Sequence, residues 1–127
     1  MEKLLLFHLS DTDQQKTKQI ASNLKIPCET IDASLYTQTL ESLISGTKNP
    51  LTAPFAGNVP EESLLFMCGL SNKRMDKLLF ALRKAEVRVD YKAALTPTNQ
   101  KWDVLHLLLE MHAERASIIA ANAVPRT

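Results

Sequence analysis

The chain has 127 residues, of which 45% are hydrophobic and 23% charged, and its formal net charge is +1. This length supports one hydrophobic core and is too short for two, so we expect a single domain over residues 1–127. The composition excludes a disordered chain, a coiled coil and a fibrous protein.

The first part of the chain predicts two strands and two helices in alternation. Residues 3–9 are largely apolar, with residues 4–7 uninterrupted, which is typical of a strand buried on both faces. A polar cluster then begins a helix over residues 10–25. A short strand over 28–31 and a helix over 36–45 follow, and Gly46 stands in the stop position of that helix.

The second part repeats this plan after an irregular connection. Residues 46–60 contain two glycines and three prolines without helical or strand periodicity. A buried strand is then predicted over 63–68, a helix over 71–85, a strand over 87–95 and a last helix over 101–121.

The halves, about 1–46 and 61–122, therefore read as pseudo-repeated units of strand, helix, strand and helix. Right-handed crossovers place the second strand outside the first and the fourth outside the third, because the second and fourth strands are the less apolar ones. We thus predict an α/β fold with a four-stranded, mainly parallel sheet in the order 2-1-3-4 and helices between the strands. The alternative is a ferredoxin-like α+β sheet.

Two loops are candidate ligand sites under this topology. In open parallel sheets, ligands bind beyond the carboxyl ends of the strands where the winding reverses, here between the first and third strands. The loop after the first strand offers Ser10 and Asp11, and the loop after the third offers Ser71 and Asn72. Helix capping alone would also account for these residue types.

A third loop leaves the fourth strand and reads K-A-A-L-T-P-T-N-Q-K-W from Lys92 to Trp102. Lys92, Thr96 and Asn99 could present one charged and two polar groups to a ligand at the same edge. In a purely structural interpretation, Pro97 directs the chain out of the strand, and Thr98 or Asn99 caps the last helix. Trp102 would then pack on the core.

This segment resembles the K-A-x-x-T-P-T-N-x-x-W signature of an uncharacterised bacterial domain-of-unknown-function family. The resemblance covers roughly residues 64–115. The matching residues are Lys92, Ala93, Thr96, Pro97, Thr98, Asn99 and Trp102. It implies a bacterial, soluble protein and carries no assigned activity.

Basic residues are concentrated in one segment. Residues 73–101 contain eight lysines and arginines against three carboxylates. Lys73, Arg74, Lys77 and Arg83 would form a surface for nucleic acid or another polyanion. The alternative is an ordinary solvated helix face.

The cysteines and histidines predict no metal site and no cofactor. Cys28 and Cys68 have neither C-x-x-C spacing nor histidines at zinc-ligand spacing, and each is expected to be a small buried hydrophobe. His106 and His112 are six residues apart, whereas H-E-x-x-H requires four. His106 is expected to pair with Glu110 across one helical turn.

These observations favour a small, non-enzymatic binding or regulatory module in the cytoplasm, without a membrane span. One alternative is a nucleic-acid or polyanion binder, and another is an enzyme for a small anionic metabolite with Lys92 as its charged group. The last helix is apolar over much of its circumference, and Ile118 and Ile119 extend that character. A homodimer through this helix is therefore a further expectation, beside an unknown protein or small anionic ligand.

Overall fold

The computed structural model describes the backbone of residues 1–123 and the side chains of residues 1–116. Ile118, Ile119 and their part in a dimer lie outside the described side chains. In chain order, the strands and α-helices are β1 (Lys3–Phe7), α1 (Asp11–Asn23), β2 (Cys28–Thr30), α2 (Leu40–Ser45), β3 (Leu64–Cys68), α3 (Asn72–Lys84), β4 (Tyr91–Ala94) and α4 (Val104–Ala123). Two 3₁₀ turns, Ala33–Leu35 and Asn99–Lys101, precede α2 and α4.

The differences from the predicted elements lie at their ends. α2 starts four residues later than predicted because its cap is Thr39, whose side chain accepts the Ser42 N–H. β4 starts at Tyr91, since Glu86 adopts a left-handed conformation with φ 58° and the chain turns there after α3. Val87 and Val89 of this turn still pack against the core beneath α3.

The sheet has the predicted order, β2-β1-β3-β4, and confirms the α/β class. β1 is parallel to β2 and β3 is parallel to β4, so the sheet is mainly parallel. The ferredoxin-like alternative is wrong because β2 pairs directly with β1, whereas that fold splits its βαβ units.

The central pair of strands is antiparallel. Lys3 of β1 lies beside Cys68 of β3, and Phe7 lies beside Leu64. The expectation that β1 and β3 end at the same edge of the sheet is therefore wrong. Its physical reason is that a strand buried on both faces is apolar throughout, so its composition carries no information about direction.

Helices cover both faces of the sheet and divide the core in two. On one face, Leu4 and Leu6 of β1 pack in a cluster with Leu78 and Leu82 of α3, to which α1 also contributes. On the other face, Leu5 and its neighbours pack with residues of α2 and α4. Burying a side chain of this size stabilises the fold by about 1.5–3 kcal/mol.

The two halves repeat the same local geometry. Ser10 and Ser71 cap α1 and α3 through the same bond, in which the side-chain oxygen accepts an N–H at 3.2 Å. Lys25 and Glu86, just after those helices, both have φ 58°. The geometry at the start and at the end of α1 is therefore the same as that of α3, and the pseudo-repeat itself stays a prediction.

Two reciprocal backbone hydrogen bonds also join the two halves of the chain on the face of the sheet that α2 and α4 cover. The Leu40 N–H donates to the Trp102 carbonyl at 2.9 Å, and the Val104 N–H donates to the Tyr36 carbonyl at 3.1 Å. Each bond therefore ties the start of one helix to the segment that precedes the other.

Within residues 1–123, no helix is long and apolar enough to cross a membrane.

Candidate functional site

The antiparallel pairing of β1 with β3 separates the loops that were predicted to lie together. Ser10 and Asp11 follow the carboxyl end of β1, at one edge of the sheet. Ser71 and Asn72 follow β3 and lie at the opposite edge, because β3 runs the other way. Thr96 and Asn99 follow β4, which is parallel to β3, and so lie at that second edge.

The capping serines have structural partners. Ser10 accepts the Asp13 N–H, and Ser71 accepts the Arg74 N–H. Asp11 and Asn72 are the exposed first residues of α1 and α3, where short polar side chains are common. The local geometry of these four residues is thus accounted for by helix capping.

Asn99 is a structural clamp at the end of β4. Its side chain is 7% exposed. The amide donates to the Ala94 carbonyl at 2.9 Å, and the amide oxygen accepts the Thr96 N–H at 2.9 Å. The Thr96 hydroxyl in turn accepts the Asn99 N–H at 3.0 Å. Both polar groups of Asn99 are therefore occupied by the chain's own backbone.

The cap of α4 differs from the predicted one. Thr98 makes no side-chain capping bond, and Asn99 bonds backward to the strand. Asp103 accepts the His106 N–H at 2.8 Å and performs this role instead. Trp102 packs on the core as expected, and its ring stacks on His106 with centroids 4.4 Å apart.

The Arg74 side chain forms hydrogen bonds within the protein. Its guanidinium donates to both Glu2 carboxylate oxygens, at 2.7 and 2.9 Å, and to the Leu24 carbonyl at 2.7 Å. The hydrogen bonds from Arg74 hold the pKa of the Glu2 carboxyl below its usual value. Arg74 of α3 thus links the residue before β1 to the end of α1, and its Nε and Nη2 donors are occupied within the protein.

A pocket between α3 and β4 brings together residues from two separate sequence predictions. Asp76, Leu79 and Arg83 of α3 and Lys92 of β4 line a cavity of about 280 Å³. Lys92 faces α3 because it lies in register with Leu65, whose side chain belongs to the core on that side. Within residues 1–116, neither Arg83 nor Lys92 forms an ion pair within 4 Å.

A stripe of basic residues borders this pocket on the outer face of α3. Lys73, Lys77 and Lys84 are exposed and recur at intervals that place them on one side of the helix. Phe80 lies among them with 61% of its surface exposed. Phe80 was not predicted as part of a site, although position 80 lies outside the face of α3 that contains the buried Leu78 and Leu82.

A second groove lies beside α4. Pro60, Glu62, Leu105, Leu108, Leu109 and His112 line a cavity of about 220 Å³. Leu109 is 69% exposed at its rim. His112 Nδ1 lies 3.1 Å from the Tyr91 hydroxyl and 3.9 Å from a Glu62 oxygen, so the imidazole is oriented by both.

The predicted His106 to Glu110 contact is confirmed, with Nε2 and Oε1 3.6 Å apart. His8 is an exposed residue with φ 61° just after β1. Among the described residues, no group of three or more His, Cys, Asp or Glu side chains is arranged to hold a metal ion.

The surroundings of both cysteines favour a structural role. Cys68 is buried in β3. Cys28 is half-buried, and burial raises the pKa of its thiol to about 11, although Lys18 opposes this shift. The nucleophilic thiolate of Cys28 is therefore scarce at neutral pH.

Replacing Asn99 with Ala should destabilise the protein by about 1–3 kcal/mol, because the Ala94 carbonyl and the Thr96 N–H lose their partner at a buried site. Asn99→Asp tests the geometry further, since its carboxylate would face the Ala94 carbonyl without a donor. Urea unfolding measures both variants, and Thr98→Ala is the matched control. Equal stability of Asn99→Ala and the wild type would contradict the clamp.

Alkylation of Cys28 by iodoacetamide should rise with a midpoint near pH 11 in a Cys68→Ala background, because burial raises the pKa of the thiol to about 11. Mass spectrometry of the modified peptide gives the rate at each pH, with the unfolded protein as the control. The raised pKa also predicts that the Cys28 contribution to stability is full below the unfolded pKa of about 8.5 and declines as pH rises towards 11. A midpoint near that of the unfolded chain would contradict this assignment.

Comparison with known proteins finds one similarity. Residues 63–118 match a family model described as Domain of unknown function (DUF3783). No curated protein and no solved structure matches the chain. The matched segment contains β3, α3, β4 and most of α4, which is the second structural half and includes the pocket with Arg83 and Lys92. The second half is thus similar to a family of unassigned function, as the sequence had indicated.

Proposed function

We propose that this protein is a non-enzymatic module that binds an anionic group in the pocket between α3 and β4. One observation carries the proposal: Arg83 and Lys92 line the same pocket, and no carboxylate of the described residues pairs with either within 4 Å. Two neighbouring cations repel each other, and an anion between them removes that repulsion.

The chemistry of the two cations suits phosphate or carboxylate oxygens. The Arg83 guanidinium offers a planar set of donors that can bind two oxygens at once, and the Lys92 ammonium adds a compact charge. Leu79 supplies an apolar wall in the same pocket. Asp76 is the one carboxylate that lines it and lowers its positive potential without cancelling it.

The exposure of Lys92 favours binding over catalysis. A catalytic lysine is normally desolvated so that its amine loses a proton near neutral pH, whereas Lys92 is exposed on an edge strand. We therefore assign Lys92 as a charged ligand contact. A cytoplasmic location, expected from the sequence, belongs to the same proposal.

Arg83→Ala and Lys92→Ala should each weaken binding of inorganic tripolyphosphate by up to roughly five-fold, since a charged contact at an exposed site contributes up to about 1 kcal/mol. Asp76→Asn should strengthen it, because it removes the opposing charge. Isothermal titration calorimetry at low salt measures all three, and Lys48→Ala, at a residue that does not line the pocket, is the control for net charge. Unchanged affinity in both cation variants would contradict the site.

A second function is supported by the groove beside α4, which we propose is filled by a second copy of the chain. The rim of the groove carries the exposed Leu109, and its walls include Leu105 and Pro60. An isologous interface needs one patch that is complementary to itself, and this patch supplies both a protruding leucine and a recess.

Leu109→Glu should convert such a dimer to a monomer, because the carboxylate would be buried without a partner at the interface. Light scattering coupled to size exclusion measures the mass over a range of concentrations. Leu51→Glu is the control, since Leu51 is 92% exposed and is not among the residues that line this groove. A wild-type protein that remains monomeric at high micromolar concentration would contradict the dimer.

A further inference from the structure

If the pocket between α3 and β4 binds an anion, as proposed above, the surface around it indicates which class of anion it takes. The pocket does not stand alone, because the basic stripe on α3 continues it along the helix. Arg83, Lys92 and the three stripe lysines give five exposed cations, and Asp76 is the carboxylate among them. From Lys73 to Lys84 the stripe extends about 16 Å at the rise of an α-helix. A ligand that used the whole surface would therefore be an extended polyanion.

Phe80 gives this surface a second kind of contact. Its ring is 61% exposed between Lys77 and Lys84, although the apolar side of α3 is occupied by the core. Position 80 does not pack inside the protein, so core packing does not account for an aromatic residue there. An aromatic ring within a row of cations matches an anionic chain that also carries flat apolar groups.

We propose that the ligand is single-stranded nucleic acid, with its phosphates on the lysines and Arg83 and one base stacked on Phe80. Every nucleobase has a face that can stack on an aromatic ring, whereas paired bases within a duplex keep their faces covered by their neighbours. Simple polyanions such as polyphosphate or polyglutamate have no group for Phe80.

An anionic membrane fits this surface less well. Helices that lie in a membrane interface insert a broad apolar face together with their lysines. The corresponding face of α3, with Leu78 and Leu82, is buried against the sheet. Phe80 alone would then enter the lipid, which leaves little apolar area to bury.

Fluorescence anisotropy with labelled 12-nucleotide DNA and RNA tests this proposal. Phe80→Ala should weaken binding of the single strand by roughly 5- to 100-fold, as expected for the loss of one stacked base, and Phe80→Trp should restore it. Leu51→Ala is the control for an exposed apolar side chain. With three to five phosphates contacted, the logarithm of the binding constant should fall against the logarithm of the salt concentration with a slope of roughly −2 to −3.5.

The variants separate this inference from the proposed function. If Phe80→Ala loses the single strand and still binds tripolyphosphate, both proposals are supported. If Phe80→Ala binds the single strand like the wild type, the inference is overturned and the anion pocket stands. If the wild type binds neither probe, the pocket fails as well.

Three alternative ligands test whether the surface prefers single-stranded nucleic acid. Duplex DNA, polyglutamate and vesicles with anionic lipid are measured at the same salt as the single strand. Equal or tighter binding of any of these would overturn the assignment to single-stranded nucleic acid. DNA and RNA strands of the same sequence distinguish the two sources, and either result supports the shared chemistry.

Discussion

The antiparallel pairing of β1 with β3 is the constraint on which the rest of the structure depends. Both strands are buried on both faces, and they sit at the centre of the sheet with Phe7 beside Leu64. Because each half has its second strand parallel to its first, this pairing sends the polar loops of the two halves to opposite edges. A single site at one edge, formed by the loops after β1 and β3, is therefore excluded by the direction of one strand.

The same arrangement decides which side chains remain for function. Arg74 binds Glu2 and the Leu24 carbonyl because the start of α3 lies beside the residue before β1 and the end of α1. Asn99 is drawn inward because it closes the end of β4. Farther along α3, Arg83 lines a pocket that Lys92 of the edge strand also lines, while Phe80 is exposed to solvent. The candidate surface thus lies on the flank of α3, away from the strand ends.

Much of the fold was predictable from local patterns. The order of the strands followed from apolar runs and right-handed crossovers, and the serine caps followed from residue type. The direction of β3 did not follow, because a strand buried on both faces has the same pattern in either direction. Asp103 was overlooked as a cap since the 3₁₀ turn at Asn99–Lys101 shifts the start of α4.

The candidate site was predictable only in pieces. Arg83 and Lys92 were each identified, but in different hypotheses, because their proximity depends on the pairing of β4 with β3. Arg74 resembled its basic neighbours in sequence, and only the bonds to Glu2 separate it from them. Phe80 was overlooked because an apolar residue in an amphipathic helix usually belongs to the core, although position 80 lies outside the face formed by Leu78 and Leu82.

The assignment of the binding surface to α3 and β4 can be tested by nuclear magnetic resonance of the ¹⁵N-labelled protein, titrated with a 12-nucleotide single strand. We expect the amide shifts to change along α3 and at Lys92, and we expect these changes to diminish as salt is added. Changes confined to the loop at Ser10 and Asp11, or to the groove beside α4, would contradict it.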